Sequence, residues 1–143
     1  MRKMFIFIAV LLASTAIAVA DEKPIDVNSL PTPARDFLNS NFPGEKIIFA
    51  TVEDELLYPD YNVVLSNGVS VEFYNDGALE KLECRTGIPE VFVPIQIVEF
   101  VKVRYPDAYF IEYNLDRRHY EVKLSNRLEL KFNKNFNLLK IDD

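Results

Sequence analysis

Leu30-Pro31-Thr32-Pro33-Ala34-Arg35-Asp36-Phe37-Leu38 and Val93-Pro94-Ile95-Gln96-Ile97-Val98-Glu99-Phe100-Val101 read as one segment written twice, 63 residues apart. Pro31 falls on Pro94 and Phe37 on Phe100, and the same offset carries Phe42-Pro43 onto Tyr105-Pro106. Further along, Tyr61-Asn62-Val63-Val64-Leu65-Ser66-Asn67 lies over Tyr120-Glu121-Val122-Lys123-Leu124-Ser125-Asn126 at an offset of 59, which then holds through Phe73/Phe132, Leu79/Leu138 and Lys81/Lys140. The offset shrinks because the second copy is shorter in the loop near residues 55–60. Self-similarity at a fixed spacing predicts one supersecondary unit used twice.

Each copy opens with a helix. Leu30, Ala34, Phe37, Leu38 and Phe42 recur at helical spacing on one face, and Val93, Ile97, Phe100, Val101 and Tyr105 repeat that face position for position. Pro31 and Pro94 suit a first helical turn, where the missing N–H has no partner to lose. Pro43 and Pro106 stop the helices, because the residue before a proline avoids the helical region.

Four strands should follow in each copy. The stretch 46–53 matches 109–116, with alternation and β-branched or aromatic residues. Tyr61, Val63 and Leu65 then alternate with polar or smaller positions, as do Tyr120, Val122 and Leu124. Asn67-Gly68 predicts a hairpin turn with positive φ. Val69, Val71 and Phe73, and Leu128, Leu130 and Phe132, make the next inward rows, and 78–84 and 137–143 read as last strands. The expected fold is therefore two-layer α+β, a tandem repeat of one helix packed on a four-stranded antiparallel sheet. The first copy spans 30–84 and the second 93–143, with linkers over 21–29 and 85–92.

Outside the repeat, residues 1–20 have a basic start (Arg2, Lys3), an apolar core (Phe5 to Leu12) and an Ala18-Val19-Ala20 end, the parts of a secretory signal peptide cleaved after Ala20. The apolar run, about 15 residues, is short for a membrane span. The expected location is periplasmic or secreted, with no membrane insertion after cleavage. The whole chain has 143 residues, 49% of them hydrophobic and 27% charged, which is globular composition. Its formal charge of −6 becomes more negative when Arg2 and Lys3 leave, which disfavours binding to nucleic acid. One cysteine and one histidine exclude a disulfide scaffold and give a Cys/His zinc site too few ligands.

The helical segments Pro31 to Phe42 and Pro94 to Tyr105, with the strands Tyr61 to Asn67, Val69 to Phe73, Tyr120 to Asn126 and Leu128 to Phe132, resemble the PepSY-like, beta-lactamase-inhibitor-like family. The resemblance covers nearly all of the chain after the leader. It implies an exported two-layer α+β protein akin to beta-lactamase inhibitor protein, of the kind found in the envelope of Bacteroides-type bacteria. That inhibitor grips an enzyme with a concave sheet surface, and PepSY domains are thought to restrain peptidases. The resemblance implies no catalytic residues. Where beta-lactamase inhibitor protein has disulfides, this chain has only Cys84.

The chemistry-bearing residues are sparse. Cys84 and His119 could form a thiolate–imidazole pair, but they fall in different copies with nothing to orient them, so an inert cysteine is the plainer reading; a free thiol could also support an intermolecular disulfide. Glu53-Asp54-Glu55 with Asp60 offers oxygen ligands without calcium-loop spacing, so a solvated loop is expected and no metal or cofactor. Arg117-Arg118-His119 reads as a solvated turn. No phosphate loop, nucleophile elbow or His-Glu-x-x-His occurs.

A non-enzymatic binding module is expected, with a protein partner in the cell envelope. Outward positions in the second copy are charged (Glu112, Glu121, Lys123, Glu129, Lys131), whereas in the first they are more apolar (Ile47, Phe49, Val64, Tyr74). Exposed apolar clusters mark interaction surfaces, unless the other copy covers them. Phe49, Val64 and Tyr74, with Leu57 and Tyr58 of a loop that also holds Leu56 and Tyr61, form the expected binding surface. The alternative function is carriage of a small apolar ligand or lipid between sheet and helix, which needs an enclosed cavity.

Overall fold

The computed structural model describes residues 22–53 and 59–143; the expected leader and the contact residues Leu57 and Tyr58 lie outside the described residues. Among the described residues the elements run β1 (Glu22–Ile25), α1 (Thr32–Asn41), β2 (Ile47–Glu53), β3 (Asp60–Leu65), β4 (Ser70–Phe73), β5 (Leu79–Glu83), α2 (Ile95–Arg104), β6 (Phe110–Leu115), β7 (His119–Leu124), β8 (Glu129–Asn133) and β9 (Leu138–Asp142). Short 3-10 turns at Val27–Ser29 and Glu90–Phe92 precede the helices.

All nine strands join in one antiparallel sheet in chain order, β1 to β9. The expectation of two separate four-stranded sheets is corrected here. β5 and β6 pair through Lys81↔Asn114, Leu82↔Tyr113 and Glu83↔Glu112, so the sheet runs unbroken through the middle of the chain. Left apart, these two strands would each present an unpaired row of N–H and C=O groups. The segment 21–29, expected as a linker, instead supplies β1, which pairs with β2 from Glu22↔Glu53 to Ile25↔Ala50.

The pairing register shows how the core is shared. Ile25, Ala50, Val63, Val71, Leu82, Tyr113, Val122, Leu130 and Ile141 follow one another as direct cross-strand partners across the whole sheet. From Ala50 to Leu130 this row is buried, within one cluster that also holds Ala34, Leu38, Ile97 and Val101 of the helices. The aromatic contacts repeat as well: Phe37 meets Phe73 edge-on at 5.8 Å, and Phe100 meets Phe132 edge-on at 5.3 Å. Leu65 and Leu124 are buried beneath the helical layer. Phe92, between the halves, stacks on Phe42 at 5.4 Å and so ties the second 3-10 turn to α1.

Local structure follows the sequence with three differences. Pro31 and Pro94 are the N-caps, extended at ψ 144 and 136, one position before the first helical turn; their carbonyls accept from Ala34 and Arg35, and from Ile97 and Val98. Of Asn67-Gly68 only Gly68 takes positive φ, at 88°. The third difference matters most for function. Ile47 pairs with Leu65 and packs on the core, whereas simple alternation puts it outward with Phe49. A bulge between Ile47 and Phe49 inserts Ile48 and resets the parity. The same shift recurs between Phe110 and Glu112, and another recurs at Glu72/Phe73 and Lys131/Phe132.

Gly77 is fixed by a close approach. Its φ is +84°, and a Cβ there would lie 2.9 Å from Pro31 Cβ and 3.1 Å from the Ala34 nitrogen. The β4–β5 turn therefore fits under the start of α1 only without a side chain.

Candidate binding surface

With both helices on one face of the sheet, residues alternating with the core row form the other face. Two rows cross it by direct pairing. One runs Thr51, Asn62, Glu72, Lys81, Asn114, Glu121, Lys131, Lys140; the other runs Phe49, Val64, Ser70, Glu83, Glu112, Lys123, Glu129, Asp142. The two halves of this face differ in kind.

The second half is charged, with both signs mixed: Lys131 faces Lys140 and Glu129 faces Asp142 as direct partners, and each is offset by an ion pair to another neighbour. Lys123 lies 3.6 Å from Glu129, Lys131 3.4 Å from Glu121 and Lys140 3.0 Å from Asp142. At the junction of the halves Glu83 and Glu112 are direct cross-strand partners, a like-charge pair. Lys81 reaches both, at 3.4 Å each. Partial burial pulls its amine pKa down, but Glu112, Glu72 and Glu83 outweigh that and hold it above the usual lysine value.

The first half is apolar at one end and acidic at the other. Ile48 and Phe49 are 60% and 49% exposed, and Val64, the cross-strand partner of Phe49, is half-buried beside it. Their counterparts in the second half are Ile111, Glu112 and Lys123. At the other end Glu53 pairs with Asp60, and Glu72 and Glu80 follow on β4 and β5. Burial, then repulsion from Asp60 and Glu72, pushes the Glu80 carboxyl up to about 7, with Lys81 opposing. Burial likewise raises Glu72. Thr51 Oγ1, Asn62 Oδ1 and Glu80 Oε2 are buried without a hydrogen-bond partner among the described residues.

The structure thus brings Phe49 and Val64 together and leaves Tyr74 apart from them. Tyr74 follows β4 at the acidic end, is half-buried, and donates its hydroxyl to the Leu115 carbonyl at 2.8 Å, linking the two halves. The Arg117 guanidinium lies 5.9 Å from its ring. Tyr61 packs on the core and pairs with Phe73, so it offers no contact anchor. Ile48, which the expected surface omitted, belongs beside Phe49; three consecutive apolar residues, Ile47-Ile48-Phe49, were the visible sign that alternation breaks there.

Cys84 and His119 sit at opposite ends of the sheet. Cys84 is buried, its N–H bonded to the Ile111 carbonyl and its sulfur 3.3 Å from Thr86 Oγ1. His119 opens β7 as the partner of Asn133. Arg118 donates its N–H to Asp116 Oδ1 within the β6–β7 turn. Among the described residues no group of three His, Cys, Asp or Glu side chains is arranged to hold a metal ion, and no helix is long and apolar enough to cross a membrane.

A nine-stranded antiparallel sheet carrying two helices on one face defines, among the described residues, a two-layer α+β protein with its other sheet face open. Residues 59–140 match the family model described as "Putative beta-lactamase-inhibitor-like, PepSY-like", and the chain belongs to that family. Among solved structures it is similar to one described as a putative calcium-regulated periplasmic protein from Bacteroides thetaiotaomicron, with 40% identity, a TM-score of 0.80, and 86% of this chain and 98% of that chain covered. It is also similar to a putative periplasmic protein of the DUF2874 family from Bacteroides vulgatus, with 38% identity, a TM-score of 0.78 and the same coverage. A third, described as a putative periplasmic protein of unknown function from Bacteroides vulgatus, is 28% identical with a TM-score of 0.79, over 86% of this chain and 100% of that one. No protein with a curated description matches the chain.

Proposed function

We propose that this is an exported, non-enzymatic binding module that acts in the periplasm, after cleavage behind Ala20, by gripping a protein partner with the first half of its open sheet face. The observation that carries the reading is the exposed Phe49 and Ile48 with half-buried Val64 beside them, on a face where the positions equivalent to Phe49 and Val64, Glu112 and Lys123, are charged. Folding this unit does not demand apolar residues at Phe49 and Val64, because the second half has Glu112 and Lys123 in their places. The family's inhibitor-like description and the periplasmic descriptions of its structural neighbours fit the reading. Restraint of an envelope peptidase is its most specific form. Carriage of an apolar ligand has less support, since Phe73, Phe110, Phe132, Leu82 and Leu124 fill the layer between sheet and helices.

The double variant Phe49→Glu/Val64→Lys tests this. Capture from envelope extract should be lost in that variant and kept in Glu112→Ala/Lys123→Ala. Equal capture by all three proteins would place the working surface elsewhere.

A second reading, response to a divalent cation, is favoured by the acidic end of the same face. Glu72 and Glu80 lie there with the unpartnered oxygens of Thr51 and Asn62, a hard-oxygen donor set. The 40%-identical neighbour is described as calcium-regulated. Calorimetric titration with calcium chloride should give a saturable signal that Glu72→Gln/Glu80→Gln abolishes; a flat titration removes this reading and leaves the first intact.

A further inference from the structure

We propose that the free edge of β9 pairs with the same edge of a second copy of this chain, making a two-fold dimer with one continuous sheet. The two outer strands of the sheet are not alike. β1 contains Pro24, and proline, which donates no ladder bond, is one of the residues that blunts an edge. β9, Leu138–Asp142, has none; it bulges at Leu139 against β8 but runs without interruption from Lys140 to Asp142, and its outer side is bonded to nothing among the described residues. Its apolar side chains are also left uncovered. Ile141 ends the apolar row that crosses the whole sheet, yet it is 42% exposed, and Leu139 is 52% exposed.

The edge is complementary to itself in one register. A two-fold contact sets the same strand against itself, antiparallel. Centred on Lys140, it opposes two like charges. Centred on Ile141, it sets Ile141 against Ile141, carrying the apolar row across the dyad, and it sets Lys140 against Asp142 twice. Lys140 and Asp142 already share one face within the strand, 3.0 Å apart. In the dimer the four groups alternate in sign around a square. Main-chain bonds between the edges supply the attraction, and the charges fix the register. This surface is separate from the Phe49–Val64 face.

Two charge reversals test the register. Lys140→Glu makes both members of the Lys140/Asp142 set acidic, and Asp142→Lys makes both basic. Sedimentation equilibrium over a concentration series should show the unmodified protein dimerising. Each variant alone should dimerise at least roughly ten-fold more weakly, since both cross-strand pairs turn repulsive. An equimolar mixture of the two variants should recover the dimer, because the acidic edge then meets the basic one. Circular dichroism should show both variants folded, as the changed groups are exposed. An unmodified protein that stays monomeric throughout overturns the proposal. So do variants that dimerise as tightly as the parent, and a mixture that stays monomeric.

Discussion

Leu82→Ala separates a sheet that folds as one unit from two halves that merely touch. Leu82 lies on β5 at the junction, fully buried, paired with Val71 of the first half and Tyr113 of the second. Truncating a buried leucine costs about 2–5 kcal/mol through lost transfer energy and the cavity left behind. That is a large part of the ~5–15 kcal/mol that holds a domain together. With a urea dependence of about 1–3 kcal/mol per molar, the unfolding midpoint should fall by roughly 1–2 M. The neighbouring Lys81→Ala acts on the solvent side of the same strand, where the Lys81 side chain is partly exposed and its ion pairs are worth about 0–1 kcal/mol. Its midpoint should move by far less. The assay is urea denaturation followed by far-ultraviolet circular dichroism and by tyrosine fluorescence, the chain having 7 Tyr and no Trp. Both probes should report one coincident transition in the parent and in both variants. Two separated transitions in the parent, or a Leu82→Ala shift no larger than that of Lys81→Ala, would refute a common core running through β5 and β6.

Three further outcomes are expected. Tyr74→Phe removes the hydrogen bond to Leu115 and should lower stability by about 0.5–1.5 kcal/mol in the same denaturation assay. Gly77→Ala should destabilise more than Gly68→Ala: both need positive φ, a strain of about 1–3 kcal/mol, but only Gly77 has Pro31 Cβ 2.9 Å from the added methyl. Glu80 has its pKa raised from 4.5 to about 7, so between those values the folded protein holds a proton that the unfolded chain has released. Stability should therefore fall as pH rises through that window, and Glu80→Gln should flatten the fall; melting temperatures at pH 5 and pH 8 for both proteins check the sign.

Much of the fold was legible because it rests on rules that operate within a few residues. The spacing of Leu30, Ala34, Phe37 and Leu38 and its echo at Val93, Ile97, Phe100 and Val101 place both helices. Alternation in Tyr61, Val63 and Leu65 and in Tyr120, Val122 and Leu124 gives the central strands their faces. What alternation does not contain is the pairing of strands distant in sequence. β5 and β6 are separated by the whole of α2, and their own residues, Leu82 and Tyr113, read equally well on the border of two sheets or in the middle of one. β1 was hidden for a related reason: Glu22-Lys23-Pro24-Ile25 has weak strand character of its own, and it becomes a strand because β2 offers it an edge.

The proposed binding surface shows how one inserted residue changes which side chains share a face. Strict alternation put Ile47 and Phe49 on the same side. The bulge at Ile48 sends Ile47 to the core against Leu65 and leaves Ile48 and Phe49 exposed together, so the apolar patch is denser than the alternating reading allows. The bulge recurs between Phe110 and Glu112, where Ile111 and Glu112 take the equivalent places. The backbone device is common to both halves, then, and the difference in character lies in side chains alone. A structural cause acting on the backbone would be felt in both halves. The second half keeps the bulge yet carries Glu112 there, paired with Lys123 of β7, so the backbone device does not itself require the apolar Phe49 and Val64 of the first half, and it is on those two side chains that the proposed contact rests.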